Sequence, residues 1–209
     1  MVDRSVNICY DRNMARPRTF DEHTVLEAAR DAFWKSGYAA TSMDDITAAT
    51  GLGKGSLYAA FGGKRELFDR VFRDYCAAAT AHTRAKLDGP DAGAYKRLRA
   101  YVLKLAADSA GPPAPRGCLL AKTGAELAGT DAAITDQTRS TYDALGAAIA
   151  SCIAAAQRDG DIAASANPRD LSAMLLATLR GIEALGKGGV TVATLRRAAR
   201  TALEALPRN

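Results

Sequence analysis

Residues 41–68 read TSMDDITAATGLGKGSLYAAFGGKRELF, and glycines cut this stretch into short pieces. Ser42 stands three residues before Asp45, the spacing at which a hydroxyl caps a backbone amide, and Met43, Ile46 and Ala49 share one face until Gly51. A helix of about two turns is predicted there. Gly51-Leu52-Gly53 forms a turn around a single leucine, and a further short helix is expected from about Lys54 to Phe61, with Leu57 and Phe61 facing inward. Gly62-Gly63 stops it. Upstream, Thr19 and Glu22 are spaced as a capping box for a helix over about Asp21–Ser36, with Val25, Ala29, Ala32 and Phe33 on one face and Gly37 at its end. Three short helices, the last introduced by a glycine turn, describe a helix-turn-helix unit.

Downstream, Leu67, Phe68, Val71, Phe72 and Tyr75 form the stripe of a long amphipathic helix from Lys64 to about Lys86. Further helices are expected over about Ala92–Ser109, Cys118–Ala128, Ala132–Asp159, Asn167–Leu185 and Val192–Leu206, the last capped by Thr191. Gly111-Pro112-Pro113-Ala114-Pro115 reads as a loop. No segment alternates as a strand. The fold class is therefore all-α with about nine helices, divided into an N-terminal arm (1–17), a helix-turn-helix domain (18–63) and a second helical domain (64–209).

Overall charge says little about function. The chain carries a formal +5, but residues 14–75 hold nine cations and nine anions, and the excess sits after residue 75. Local placement has to carry any nucleic-acid reading. Cys9, Cys76, Cys118 and Cys152 are scattered without a CxxC pair, and only His23 and His82 accompany them, so no metal site and no cofactor are expected. No apolar run reaches the roughly 18 residues of a spanning helix, and a cytoplasmic protein is expected.

Lys54-Gly55-Ser56 bring a cation, a bare backbone and a small hydroxyl to the start of the third helix, the end that enters a major groove. Tyr58 follows on the outer side. Thr41 and Ser42 open the second helix where hydroxyls and free amides meet phosphate, and Lys64 and Arg65 open the fourth. Two enzymatic readings of the glycine-rich run fail. A phosphate loop needs Lys followed directly by Ser or Thr, and Gly55 intervenes; a dinucleotide fingerprint needs a third glycine where Ser56 stands, after a strand rather than a helix.

The segment quoted above, with the approach FWKSGYAATSMDDI, resembles the DNA-binding segment of the TetR/AcrR family of bacterial one-component regulators. The resemblance implies a homodimer on a palindromic double-stranded operator and a small-molecule effector that releases it. Lys54, Gly55 and Ser56 would lie near bases, Thr41, Ser42, Tyr58 and Lys64 near phosphates, and Arg16 and Arg18 would add a minor-groove arm. Ala60 departs from the aromatic or His common in relatives at its position, which removes one phosphate contact.

For the second domain, the resemblance implies that the last two helices pair with their copies. The apolar faces available are Leu171, Leu175 and Ile182, then Leu195, Ala199 and Ala202; the same periodicity also fits burial within one chain. Cys118 follows Arg116-Gly117 at a helix start, a setting that favours thiolate chemistry and sensing, and equally fits a small packed hydrophobe. A helical interaction protein that docks a protein partner is the alternative reading, distinguished by binding insensitive to salt. An enzyme would need a nucleophile–base constellation that these residues do not assemble.

Overall fold

The structure is a computed structural model that describes residues 20–110 and 116–208. Its described residues form nine helices: α1 (Glu22–Ser36), α2 (Met43–Thr50), α3 (Lys54–Phe61), α4 (Lys64–Leu87), α5 (Ala94–Asp108), α6 (Leu119–Leu127), α7 (Ala132–Arg158), α8 (Pro168–Lys187) and α9 (Val192–Glu204). Every bound falls within two residues of the sequence expectation. One cap differs. Asp21 caps α1, its carboxylate accepting from the amides of His23 and Thr24, so Glu22 is already the first helical residue. Thr19, like Arg16, Arg18 and the 111–115 loop, lies outside the described residues.

Two apolar cores hold the helices together. The first gathers Val25, Ala29 and Phe33 of α1, Ile46 of α2, Leu57 of α3 and Leu67, Phe68, Val71 and Phe72 of α4, and continues into Cys118, Leu120, Ile134 and Leu145. Phe33, Phe68 and Phe72 are fully buried, and each such ring contributes about 1.5–3 kcal/mol. The second core joins α5, α7, α8 and α9 around Leu98, Val102, Ile153, Leu175, Leu179, Ile182, Leu195 and Ala199.

This second core corrects one expectation. Leu175, Ile182, Leu195 and Ala199 are 0–1% exposed within the single chain, and Leu171 and Ala202 pack half-buried against the same cluster. These positions complete the chain's own interior and leave four side chains with no surface to offer a second copy. The faces that remain outside on α8 carry Ala173, Ala177, Gly181 and Leu185, spaced four apart. Among the described residues no helix is long and apolar enough to cross a membrane, and no group of three or more His, Cys, Asp or Glu residues could hold a metal ion.

The tightest crossing sits where α8 passes the end of α5. A Cβ on Gly186 would lie 1.8 Å from the carbonyl oxygen of Ser109 and 3.1 Å from Leu195 Cδ1. Both neighbours are buried, and the nearer is backbone, so the crossing cannot relax by rotating a side chain. Gly186→Ala is expected to destabilise the fold by about 1–3 kcal/mol through overpacking, read from denaturant unfolding, whereas Gly129→Ala, which meets nothing within 4 Å, should leave stability nearly unchanged.

Candidate nucleic-acid interface

The α2–α3 unit owes its shape to its caps. Ser42 Oγ accepts from the Asp45 amide at 3.1 Å, while Asp45 Oδ2 accepts from the Ser42 amide at 2.8 Å, closing a reciprocal box. The Ser42 hydroxyl donates to the same carboxylate, and these hydrogen bonds hold the Asp45 carboxyl below the usual range. Gly51 ends α2 at φ 69°, a left-handed turn that a side chain would strain. Leu52 then tucks half-buried against the first core, and α3 starts at Gly53 without a side-chain cap.

Leu57 and Phe61 point inward as expected, leaving Lys54, Gly55, Ser56, Tyr58 and Ala59 exposed on one side of α3. Tyr58 is 52% exposed, far more than a tyrosine serving a core. Lys54 Nζ lies 2.7 Å from Asp44 Oδ1 of α2, a pairing that raises the lysine's pKa, first through the hydrogen bond and then through the charge. Lys64 Nζ stands 4.4 Å over the ring of Tyr38, which itself packs against Phe68. The helix start, the aromatic and the two lysines thus share a surface.

Two sequence assignments do not survive. Thr41 is 1% exposed and its hydroxyl donates to the carbonyl of Gly37, so this side chain closes the α1–α2 turn and cannot reach a phosphate. Arg65 binds Asp69 of its own helix and Asp131 before α7, which fixes α4 to α7 and withdraws the guanidinium from solvent work. The Arg65–Asp69 spacing is visible in the sequence, but the Asp131 partner and the turn that buries Thr41 are set by packing.

Behind this surface lies a cavity of about 860 Å³, walled by Trp34, Tyr75, Tyr101, Leu105 and Leu145 with small Ala78, Ala79 and Ala100, and bearing Arg180 and Glu183. Nothing near α8 in the sequence marked that pair. Arg180 Nη1 forms an ion pair with Glu183 Oε2 at 2.7 Å, while Arg180 Nε has no hydrogen-bond partner among the described residues. Burial raises the Glu183 carboxyl while Arg180 opposes it; burial is the largest influence on Arg180 and works against its charge, and Glu183, Cys118 and Tyr101 together outweigh it, so its pKa is raised.

Cys118 is the N-cap residue of α6, 8% exposed. Its neighbouring cation is not Arg116, which pairs with Asp31 and lies over Trp34, but Arg180, whose Nη1 donates to Sγ at 3.1 Å. Tyr75 Oη lies 3.8 Å from the same sulfur, and burial first, then Cys118, pushes the Tyr75 hydroxyl up. Burial also pushes Cys76 up to about 11 and raises Cys152.

Comparison with known proteins matches this geometry. Residues 25–71 match the family described as bacterial regulatory proteins, tetR family, and residues 94–202 match the tetracyclin repressor-like C-terminal domain. The chain is similar to the HTH-type transcriptional repressor ComR of Escherichia coli (strain K12), 26% identical over 199 residues that cover 95% of each chain. It is also similar over 60 residues, at 42% identity, to the HTH-type transcriptional repressor BdcR of the same organism, covering 29% of this chain and 30% of that one. Among solved structures, a cysteine mutant of the TetR family transcriptional regulator CifR, complexed with 26-bp operator DNA, superposes with a TM-score of 0.80 at 30% identity, over 92% of this chain and 100% of that one. The helix-turn-helix, the nine-helix architecture and both halves of the sequence agree: this chain belongs to the TetR family and is a DNA-binding transcriptional regulator.

Proposed function

We propose that the chain is a repressor that binds a palindromic operator as a homodimer, with α3 in the major groove, and leaves it when a small molecule fills the cavity. Gly55 carries the DNA half of this reading. Glycine inside a helix costs up to about 1 kcal/mol relative to alanine, and a Cβ at Gly55 would meet nothing within 4 Å. The fold itself has no use for a bare backbone here. A close approach from outside does, and a groove edge against Lys54-Gly55-Ser56 supplies one, with Tyr58, Lys64 and the amides beside Ser42 placed for the flanking phosphates. That the similar regulator CifR was solved in complex with operator DNA supports the DNA half of the reading.

The same reasoning applies to Gly181. It is helical, exposed, and open for 4 Å around a built Cβ, in line with Ala173, Ala177 and the 51% exposed Leu185. This flat strip of α8 suits close packing against a second copy, in place of the inward leucines. The apolar, aromatic-walled cavity suits an effector with an apolar body, which shifts the dimer by preferring one arrangement of the two heads.

Gly55→Ala separates folding from reading, because its two effects have opposite sign. Thermal stability should rise slightly, by up to about 1 kcal/mol, while operator affinity in a fluorescence anisotropy titration should fall at least about tenfold. Affinity that does not change would remove the groove reading. For the wild type, operator affinity should fall steeply between about 50 and 200 mM salt, and Tyr58→Ala and Lys64→Ala should weaken it further; salt-independent binding would favour a protein partner instead.

Cys118 supports a second mode of release. Among the described cysteines it has a guanidinium hydrogen-bonded to its sulfur, at 3.1 Å. A mild electrophile should dissociate the wild-type operator complex and spare Cys118→Ser. Equal dissociation of both proteins would show that the thiol is not the sensor.

A further inference from the structure

The cavity and the reading head are joined by one short helix. Immediately before α6, the carbonyl of Gly117 accepts from Trp34 Nε1 at 3.1 Å, and both residues line the cavity. One turn into α6, Lys122 Nζ donates to the carbonyls of Trp34 at 3.2 Å and Lys35 at 2.9 Å, which belong to the last turn of α1, where no helical amide is left to meet them. One turn further, the Glu126 carboxylate accepts from the amides of Tyr38 at 3.0 Å and Ala39 at 2.6 Å, in the turn that leads to the Ser42 cap of α2. Lys122 and Glu126 are four apart and share a face.

The chemistry of the two contacts is complementary. A cation meets the carbonyl end of α1, where the helix dipole is negative, and an anion meets free amides ahead of α2. Hydrogen bonds to charged groups are stronger than neutral ones, an advantage that solvent reduces at this partly exposed joint. The seat for the carboxylate depends on bare backbone: a Cβ on Gly37, at φ 91°, would lie 2.7 Å from Glu126 Oε2. Burial lowers the Lys122 pKa most, with Lys187 adding to it and Glu126 opposing, so the ammonium is partly withdrawn from water at this joint.

Resting on the DNA reading above, we propose that Lys122 and Glu126 are positioning residues for operator recognition. They fix the angle at which the α2–α3 unit leaves α1, and so fix the separation of two reading heads in a dimer. The groove contacts themselves are untouched by these two side chains.

The test uses the full chain and a palindromic duplex selected by the wild type from random DNA. Affinities of wild type, Glu126→Ala, Glu126→Gln and Lys122→Met are measured on that duplex, on versions with the central spacer longer or shorter by one base pair, and on non-specific DNA. The variants should bind the selected palindrome about tenfold weaker and lose a similar factor of discrimination against the altered spacers, with non-specific affinity unchanged and Glu126→Gln intermediate. An unchanged spacer penalty, or a uniform loss on every duplex, overturns the proposal. A wild type that selects no palindrome overturns the DNA reading itself, and this proposal with it, so the two failures are distinguishable.

Discussion

Helices of eight residues do not persist in water, because the cost of starting a helix exceeds what two turns return. α2 and α3 are of this length, and everything that makes them useful is borrowed from α1 and α4. Ile46 and Leu57 are the points of attachment, pressed against Phe33, Phe68 and their neighbours. The outer side of α3 can therefore be assembled for contact with something else, since none of its exposed residues is required to hold it in place. α4 serves both purposes at once, with Leu67, Phe68 and Phe72 under the reading head and Tyr75 at the cavity.

The arrangement explains how a surface chosen for binding can be rigid without a large interior of its own. Its core continues past α4 into Cys118, Leu120 and Ile134, so α1–α3 and the second helical half share apolar contacts in addition to the polar ones of Arg65, Lys122 and Glu126. A change in the second half need not travel through an empty linker. It meets packed side chains and charged hydrogen bonds within a few ångströms of the cavity wall.

Local chemistry was legible in the sequence wherever one short segment contained both halves of an interaction. The Ser42–Asp45 box, the Gly51 turn, the inward Leu57 and Phe61 and all nine helix positions are of this kind. Interactions whose partner lies far along the chain were not legible. Arg180 was overlooked because its sulfur partner is 62 residues away, and Thr41, whose acceptor is only four residues back, looked like a free hydroxyl because a turn carbonyl carries no sequence signature. The apolar faces of α8 and α9 were identified correctly as faces, but periodicity reports that a side is buried and never against what; here the side turned inward, and the outward strip was marked only by small residues.

The Lys54–Asp44 pair has a further consequence. In the proposed complex Lys54 reaches the groove by exchanging a carboxylate 2.7 Å away for acceptors on DNA, so part of what it gains is offset by what it leaves. A backbone phosphate or an ill-fitting base edge offers no better terms than Asp44, and against such sites the released carboxylate adds repulsion. In that complex the lysine would contribute less to holding DNA in general and more to rejecting the wrong DNA, a threshold more than an anchor.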